Sequence, residues 1–159
     1  MKNTNSRAAA WLGCALACIA LLARDGDALA AAPPGQYMVG IGALAGTVLD
    51  TETGLRWQQA VGATGTQAGS VRYCDLLILG GFSDWRLPSV LELASLVDES
   101  VASPGPTIDS AAFPLTPSQE FWSSSPALGT PSYGWVVLFD ESSALGDDAT
   151  QMYYARCVR

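Results

Sequence analysis

The chain has 159 residues, with 15 acidic side chains against 8 basic ones and no histidine. The resulting net charge of −7 disfavours binding to phosphate backbones and to anionic lipid headgroups, so neither nucleic acid nor a membrane surface is an expected partner. Catalysis is also disfavoured, because histidine is the side chain most often used for proton transfer near neutral pH.

The first 30 residues have the composition of a signal peptide. Lys2 and Arg7 precede an apolar run over residues 8–23, and the small residues 28–30 (Ala-Leu-Ala) form a cleavage site. The apolar run is about 16 residues long, shorter than the roughly 20 residues needed to span a bilayer. We predict cleavage after residue 30 or 32, export to the periplasm or the extracellular space, and no membrane insertion after cleavage.

The mature chain is a single acidic domain with two cysteines. The leader carries three of the 8 basic residues, including the only lysine, and two of the 15 acidic ones, which leaves 5 arginines, 13 acids and a net charge of −8. It also carries Cys14 and Cys18, and acylation of either is disfavoured because apolar residues continue past both. In an oxidising compartment we expect Cys74 and Cys157 to form a disulfide, two free thiols being the alternative.

The folded domain is predicted to occupy residues 47–159. Residues 31–46, rich in alanine, proline and glycine, predict a tether followed by an irregular first edge segment. Short apolar segments at 48–49 and 55–57 flank a polar loop that ends in Gly54, a pattern typical of a β-hairpin.

Two short helices are predicted after this hairpin. The first has apolar residues at helical spacing from Val71 to Ile78, which places Cys74 on its buried side. The second runs from Val90 to Asp98, behind Ser89 and Glu92, which have the spacing of a capping box.

The last third of the chain predicts a long loop and then strands. Residues 99–120 are rich in proline, serine and threonine, with Phe113 as an apolar anchor. In the last strand Tyr153, Ala155 and Cys157 share one face, which puts Cys157 opposite the first helix. The predicted strands are Phe121–Ser124, Trp135–Phe139 and Met152–Val158.

Five stretches of the chain together resemble a known family found in secreted bacterial proteins. It is the domain of unknown function named for the C-terminal region of a Legionella collagen-like adhesin. The resemblance covers Val48 to Arg159, and the order of the stretches carries it. They are VLDTETGLRWQQ (48–59), YCDLLILGGFSDWRLPSVLEL (73–93), FPLTPSQEFWSSS (113–125), WVVLFD (135–140) and ARCVR (155–159).

The resemblance implies an α+β domain of C-type-lectin-like fold, with two short helices packed on a twisted antiparallel sheet. A disulfide from the first helix to the last strand fits that arrangement. The resemblance also implies adhesion or ligand binding, with polysaccharide recognised by some members. This chain departs from the family in having no collagen-like repeats, and its acidity disfavours sulfated glycans as ligands.

Two aromatic patches are candidate binding sites. Around Trp85 we expect a local pair between Asp84 and Arg86 and a core position for the indole ring, with sugar contact as the alternative. The region from residue 122 to 135 is the better candidate, because surfaces that combine aromatic rings and hydroxyl groups suit carbohydrates and peptides. We predict that this region and the loop over residues 99–120 together form the ligand surface. Its candidate ligand contacts are Trp122, Ser124, Ser125, Ser132, Tyr133 and Trp135, of which the two tryptophans are also candidates for the core.

No catalytic residue, metal site or cofactor is predicted. The mature chain has no histidine or lysine, its cysteines are expected to be paired, and its acidic residues do not have EF-hand spacing. A carboxylate pair at glycosidase separation is the enzymatic alternative. We predict a secreted, non-catalytic binding or adhesion module for a carbohydrate or protein at the cell surface, or alternatively an assembly protein that binds an envelope protein or itself.

Overall fold

A computed structural model describes residues 32–159 as two three-stranded antiparallel sheets and two short α-helices. The predicted leader lies outside the described residues. Within residues 32–159, no helix is long and apolar enough to cross a membrane. The mixed α+β composition agrees with the prediction, but the single predicted sheet is wrong, because the strands form two separate sheets.

The first sheet confirms the predicted hairpin and the edge segment before it. Asp50 shapes the hairpin turn, because its carboxylate accepts hydrogen bonds from the Glu52 N–H and the Thr53 hydroxyl. Gly54 completes the turn at a φ of +74°, a conformation that residues with a Cβ rarely adopt. The strands, in sheet order, are β1 (Tyr37–Val39), β2 (Thr47–Asp50) and β3 (Arg56–Gln58).

The second sheet contains one strand that the sequence pattern missed. Two strands were predicted to within a few residues, and the third is an exposed edge strand of small and acidic residues with no apolar alternation. Apolar alternation cannot predict such a strand, because neither of its faces is buried. The strands, in sheet order, are β4 (Glu120–Pro126), β5 (Tyr133–Leu138) and β6 (Ser143–Asp148).

The first helix begins and ends earlier than its apolar spacing predicted, and the second is shorter than predicted. Helix α1 (Gln67–Asp75) begins where the Thr66 hydroxyl accepts a hydrogen bond from the Gly69 N–H, and it ends before Ile78, whose side chain is exposed. Helix α2 (Val90–Ala94) ends before residue 98, the predicted end.

The start of α2 confirms the predicted capping box. The Ser89 hydroxyl accepts from the Glu92 N–H, and the Glu92 carboxylate accepts from the Ser89 N–H. This reciprocal pair satisfies two backbone donors that would otherwise lack partners at the helix start.

The last residues of the chain do not form the regular strand that their alternation predicted. Residues 153–159, here called the terminal segment, make isolated bridges to several elements instead. Its residues from Ala155 to Val158 are all buried, because neighbours pack on both of its faces. Its backbone hydrogen bonds reach Arg56, Gln58, Gly62, Gly65, Arg86, Glu120 and Trp122.

The disulfide joins α1 to the terminal segment, as predicted. Cys74 and Cys157 are both fully buried, with their Cα atoms 5.4 Å apart. They lie in one of two apolar clusters, together with Trp85, Trp122 and Ala155. The second cluster lies around α2 and the predicted anchor of the long loop, and it contains Val48, Trp57, Leu93, Phe113, Phe121 and Val158.

A buried arginine lies between the terminal segment and the long loop. The Arg156 guanidinium donates to the carbonyl oxygens of Gln58 and Gln59 and to the Thr116 hydroxyl, and it lies 4.6 Å from the Phe113 ring centroid. Burial lowers the pKa of Arg156 to about 9, so its side chain is still charged at neutral pH. Arg156 thereby fixes the loop at Phe113 and Thr116 to the rest of the domain.

Reduction of the disulfide is expected to destabilise the folded domain strongly. The bond closes a sequence separation of 83 residues. In the chain-entropy model such a loop contributes at most about 4.5 kcal/mol to the free energy of unfolding. Urea denaturation with and without reductant measures the loss, with mass spectrometry reporting the thiol state. Equal midpoints in the two conditions would contradict the prediction.

Replacement of Arg156 by methionine is expected to lower the free energy of unfolding by about 2–4 kcal/mol, because the carbonyl groups of Gln58 and Gln59 then lack their buried donor. Chemical denaturation measures the change. Arg72→Met is the matched control, since Arg72 is exposed on α1 and its loss is expected to change stability by less than about 0.5 kcal/mol. Equal effects of the two substitutions would refute a structural role for Arg156.

Candidate functional site

One predicted contact residue is not available to a ligand. Trp122 is completely buried, its ring centroid lies 5.1 Å from that of Tyr153, and its indole N–H donates to the Gly65 carbonyl oxygen over 2.9 Å. Trp122 belongs to the disulfide-containing cluster, so its prediction as a ligand contact is wrong and its core alternative is correct.

The two serines of β4 lie beside the start of α2. Ser124 is exposed, and both its N–H and its hydroxyl donate to the Pro88 carbonyl oxygen. The partly buried Ser125 hydroxyl accepts from the Val90 N–H over 3.0 Å and so caps a donor at the helix start. Both hydroxyl oxygens keep lone pairs for a ligand, but their positions are set by α2.

The other three predicted residues lie at the start of β5. Ser132 and Tyr133 are exposed and Trp135 is partly exposed, and the two aromatic rings share one face of the strand because they are two residues apart. On the neighbouring edge strand Trp135 is paired with Gly146, which has no side chain to cover the indole. We call Ser124, Ser125, Ser132, Tyr133 and Trp135 the hairpin surface.

A glutamine that sequence reasoning missed bonds to the backbone of the hairpin surface. The Gln67 side-chain amide donates to the carbonyl oxygens of Ser123 and Ser125, over 2.8 and 3.3 Å. Gly134 makes this approach possible, because a Cβ there would lie 2.2 Å from the amide nitrogen of Gln67. A glycine inside a strand often marks a place where another group approaches the backbone closely. Gly134 was therefore the sequence feature that could have predicted this contact.

Two ion pairs near α2 differ from the pair that was predicted. Asp84 does not pair with Arg86; it pairs with Arg159 over 2.7 Å, and Arg86 pairs with Glu92 over 2.6 Å. Trp85 fills the core as expected. The guanidinium of Arg86, followed by hydrogen bonds from Ser89, lowers the pKa of Glu92 to about 2.

The tyrosine that contacts the Trp122 ring has its hydroxyl group in a short hydrogen bond. The Tyr153 hydroxyl donates to an Asp147 carboxylate oxygen over 2.5 Å. That hydrogen bond, together with burial, raises the pKa of Tyr153 to about 12. The phenol therefore keeps its proton at neutral pH and does not serve as a base.

The long loop forms a separate site. A cavity of about 450 Å³ lies between the first described residues, the chain after α2 and the loop residue Asp109. No residue from 122 to 135 lines it, so the structure does not bring the loop and the hairpin surface together. We call this cavity the acidic groove; its lining includes Pro33, Gln36, Tyr37, Asp98, Glu99 and Asp109.

The acidic side chains of both regions are the possible ligands of a metal ion. In the part of the chain that the structure describes, no group of three or more His, Cys, Asp or Glu side chains is arranged to hold a metal ion. The carboxylates that line the acidic groove are therefore not gathered around one point.

The comparisons with known proteins identify the family. The family model described as the Lcl C-terminal domain matches residues 46–159, nearly the whole described structure. The chain belongs to this family. No curated protein matches the sequence closely enough to count as a relative. The Lcl C-terminal domain of this chain thus includes both sheets except β1, both helices, the disulfide and the hairpin surface.

The capping carboxylate beside the hairpin surface is expected to make the stability of this Lcl C-terminal domain depend on acid pH. Because the folded-state pKa of Glu92 is depressed to about 2 from 4.5, its stabilisation is present above about pH 4.5 and lost as pH falls through 2. Glu92→Gln is expected to cost about 1 kcal/mol at pH 7, and almost nothing at pH 2. Urea denaturation at both pH values measures this difference.

Glu141→Gln, at an exposed turn position, is the control and is expected to leave stability unchanged at both values. A Glu92→Gln effect of equal size at pH 7 and pH 2 would contradict the assignment of the pH dependence to this carboxylate.

Proposed function

We propose that the chain is an exported, non-catalytic binding module that recognises carbohydrate through the hairpin surface. One observation carries the proposal: Tyr133 and Trp135 present their rings on the same face of β5, among exposed or partly exposed serine hydroxyls. A flat ring stacks on the apolar face of a sugar, while hydroxyl groups exchange hydrogen bonds with those of the sugar.

The hydrogen-bonding capacity of the surface supports this ligand class. Within residues 32–159, neither the Ser132 hydroxyl nor the Tyr133 hydroxyl has a protein partner, so both remain available. Tyr133 is 37% exposed, enough for a ligand to contact the ring and the phenol together. The net charge of the mature chain favours neutral or cationic glycans over sulfated ones.

The C-type-lectin-like fold belongs to the same proposal. The helix-to-terminus disulfide, the two helices and the antiparallel sheets are compatible with it. The last residue of the chain is also close to the first sheet, since Arg56 on β3 exchanges two backbone hydrogen bonds with Arg159.

The chemistry of the side chains supports a role without catalysis. Cys74 and Cys157 are joined in a disulfide, so neither supplies a nucleophilic thiol. The sequence contains no histidine to activate a serine of the hairpin surface.

The alternative, an assembly role, is favoured by one further observation. Strand β1 is the edge of its sheet, and Met38, Val39 and Ile41 beside it are exposed apolar residues. An edge strand with unpaired backbone groups and apolar side chains can pair with another protein or a second copy of the chain. Light scattering of the purified mature protein across a concentration series tests for self-association.

A glycan array screened with the mature protein tests the carbohydrate proposal, with and without calcium and at low and physiological salt. Saturable binding to defined glycans is the expected result. Trp135→Ala and Tyr133→Ala are each expected to weaken binding about five- to tenfold, because each removes one stacking ring.

Leu128→Ala is the matched control, because Leu128 is a highly exposed apolar residue in the same hairpin but has no ring. It is expected to leave glycan affinity unchanged. Silence across the array would sink the carbohydrate proposal and favour a protein partner, which a pull-down from the cell envelope would then identify.

A further inference from the structure

A carboxylate lies beside the two rings of the hairpin surface. In the ladder between β5 and β6, Asp148 is paired with Tyr133, and Gly146 is paired with Trp135. Residues that are paired in an antiparallel ladder have their side chains on the same face of the sheet, and diagonal neighbours lie about 7–8 Å apart. Asp148 is therefore directly beside Tyr133 and diagonal to Trp135.

This carboxylate keeps one oxygen available for a ligand. Asp148 is partly exposed, and its Oδ1 accepts from the Thr150 N–H over 2.9 Å and from the Thr150 hydroxyl over 2.7 Å. Within residues 32–159, its Oδ2 has no hydrogen-bond partner. The hydrogen bonds from Thr150 also hold the pKa of Asp148 below its usual range, so the side chain is charged at neutral pH.

The carboxylate belongs to a single residue on this face and not to an acidic cluster. Asp147, the preceding residue of the strand, is paired with Gly134 and has its side chain on the opposite face. There its carboxylate accepts from the Tyr153 hydroxyl. The ion pairs found in the described part of the chain involve other acids, so no arginine neutralises Asp148.

Two aromatic rings and one carboxylate on the same face form a site suited to a cation. The face of a tryptophan or tyrosine ring carries partial negative charge and attracts an ammonium group. An ammonium group also forms shorter and stronger hydrogen bonds with a carboxylate than a neutral hydroxyl does. A sulfate or carboxylate group at this position would instead be repelled by Asp148. The local chemistry therefore narrows the range of sugars that fit the hairpin surface.

We propose that the hairpin surface recognises glycans with free amino groups, and that Asp148 binds the ammonium group of the sugar. The inference rests on the proposed function, because it requires a sugar ring stacked on Tyr133 or Trp135. The substituents of a stacked sugar project sideways from its ring, toward neighbouring positions on the same face of the sheet. Asp148 occupies such a position. It is thus expected to discriminate between amino sugars and their N-acetylated forms, which carry no charge at this nitrogen.

Two tetrasaccharides with the same backbone test the inference: the tetramer of glucosamine, with free amino groups, and the tetramer of N-acetylglucosamine. The protein is purified after expression of the full chain, and calorimetry measures both affinities at pH 5.5, where the amino groups are protonated. The glucosamine tetramer is expected to bind about tenfold more tightly. This preference is expected to shrink in 0.5 M salt, which screens partly exposed charges.

Asp148→Asn is the informative variant, because asparagine keeps an oxygen that accepts from Thr150 while it removes the charge. Its affinity for the glucosamine tetramer is expected to fall about tenfold, and its affinity for the N-acetylated tetramer to change by less than about twofold. Glu141→Gln is the matched control, since Glu141 is exposed in the turn before β6, at the far end of that strand from Asp148. It removes the same unit of charge and is expected to keep the full preference.

Tetralysine separates recognition of the sugar from attraction of charge alone, since it carries ammonium groups but no sugar ring to stack on an aromatic side chain. It is expected to bind at least about tenfold more weakly than the glucosamine tetramer. Equal binding of the two would overturn the assignment to amino sugars. The comparison of ligands in the unmodified protein requires no variant, and so it decides the inference even if Asp148→Asn does not fold.

The inference is also overturned if the two tetrasaccharides bind equally, if the N-acetylated one binds more tightly, or if Asp148→Asn and Glu141→Gln have equal effects. Absence of binding to either tetrasaccharide, while another glycan on the array is bound, would overturn it as well. In each of these cases a glycan is still bound, so the proposed function stands. Absence of binding to every glycan would instead overturn both.

Discussion

The fold depends on backbone hydrogen bonds between the terminal segment and both sheets. Arg56 and Gln58 of the first sheet bond to Arg159 and Cys157, while Trp122 of the second sheet bonds to Tyr154. Among the described residues no backbone hydrogen bond joins a strand of one sheet directly to a strand of the other, so the terminal segment connects the two sheets. The buried disulfide fastens this segment to α1, and the buried Arg156 fastens it to the long loop.

The hairpin surface takes its shape from this framework. Trp122 packs under it in the disulfide-containing cluster, Gln67 supports its backbone carbonyls, and the start of α2 bonds to Ser125. A binding surface built on such fixed elements loses little conformational freedom when it meets a ligand. The exposed residues of the surface are therefore held in fixed positions, which is what the proposed recognition of a sugar requires.

Charge is distributed unevenly over the domain. Four of the five arginines within residues 32–159 are committed: Arg86 and Arg159 pair with carboxylates, Arg156 is buried, and Arg56 bonds to Thr47. The carboxylates near the first described residues have no such cation. The imbalance is a property of the folded chain, because it arises from which acids the arginines reach and not from composition alone.

Sequence alone determined the features that depend on residues close together in the chain. The turn at Asp50 to Gly54 and the capping box of Ser89 and Glu92 were predictable because local hydrogen bonding decides them. The disulfide was predictable for another reason: Cys74 and Cys157, 83 residues apart, are the two cysteines outside the predicted leader. Only the tertiary structure decided that Trp122 is buried while Trp135 is partly exposed, and that Asp84 pairs with Arg159. It also decided that β6 is a strand, and that the loop over residues 99–120 lies apart from the hairpin surface. These depend on contacts between distant residues, and the exposure of a side chain is set by whatever the rest of the chain packs against it.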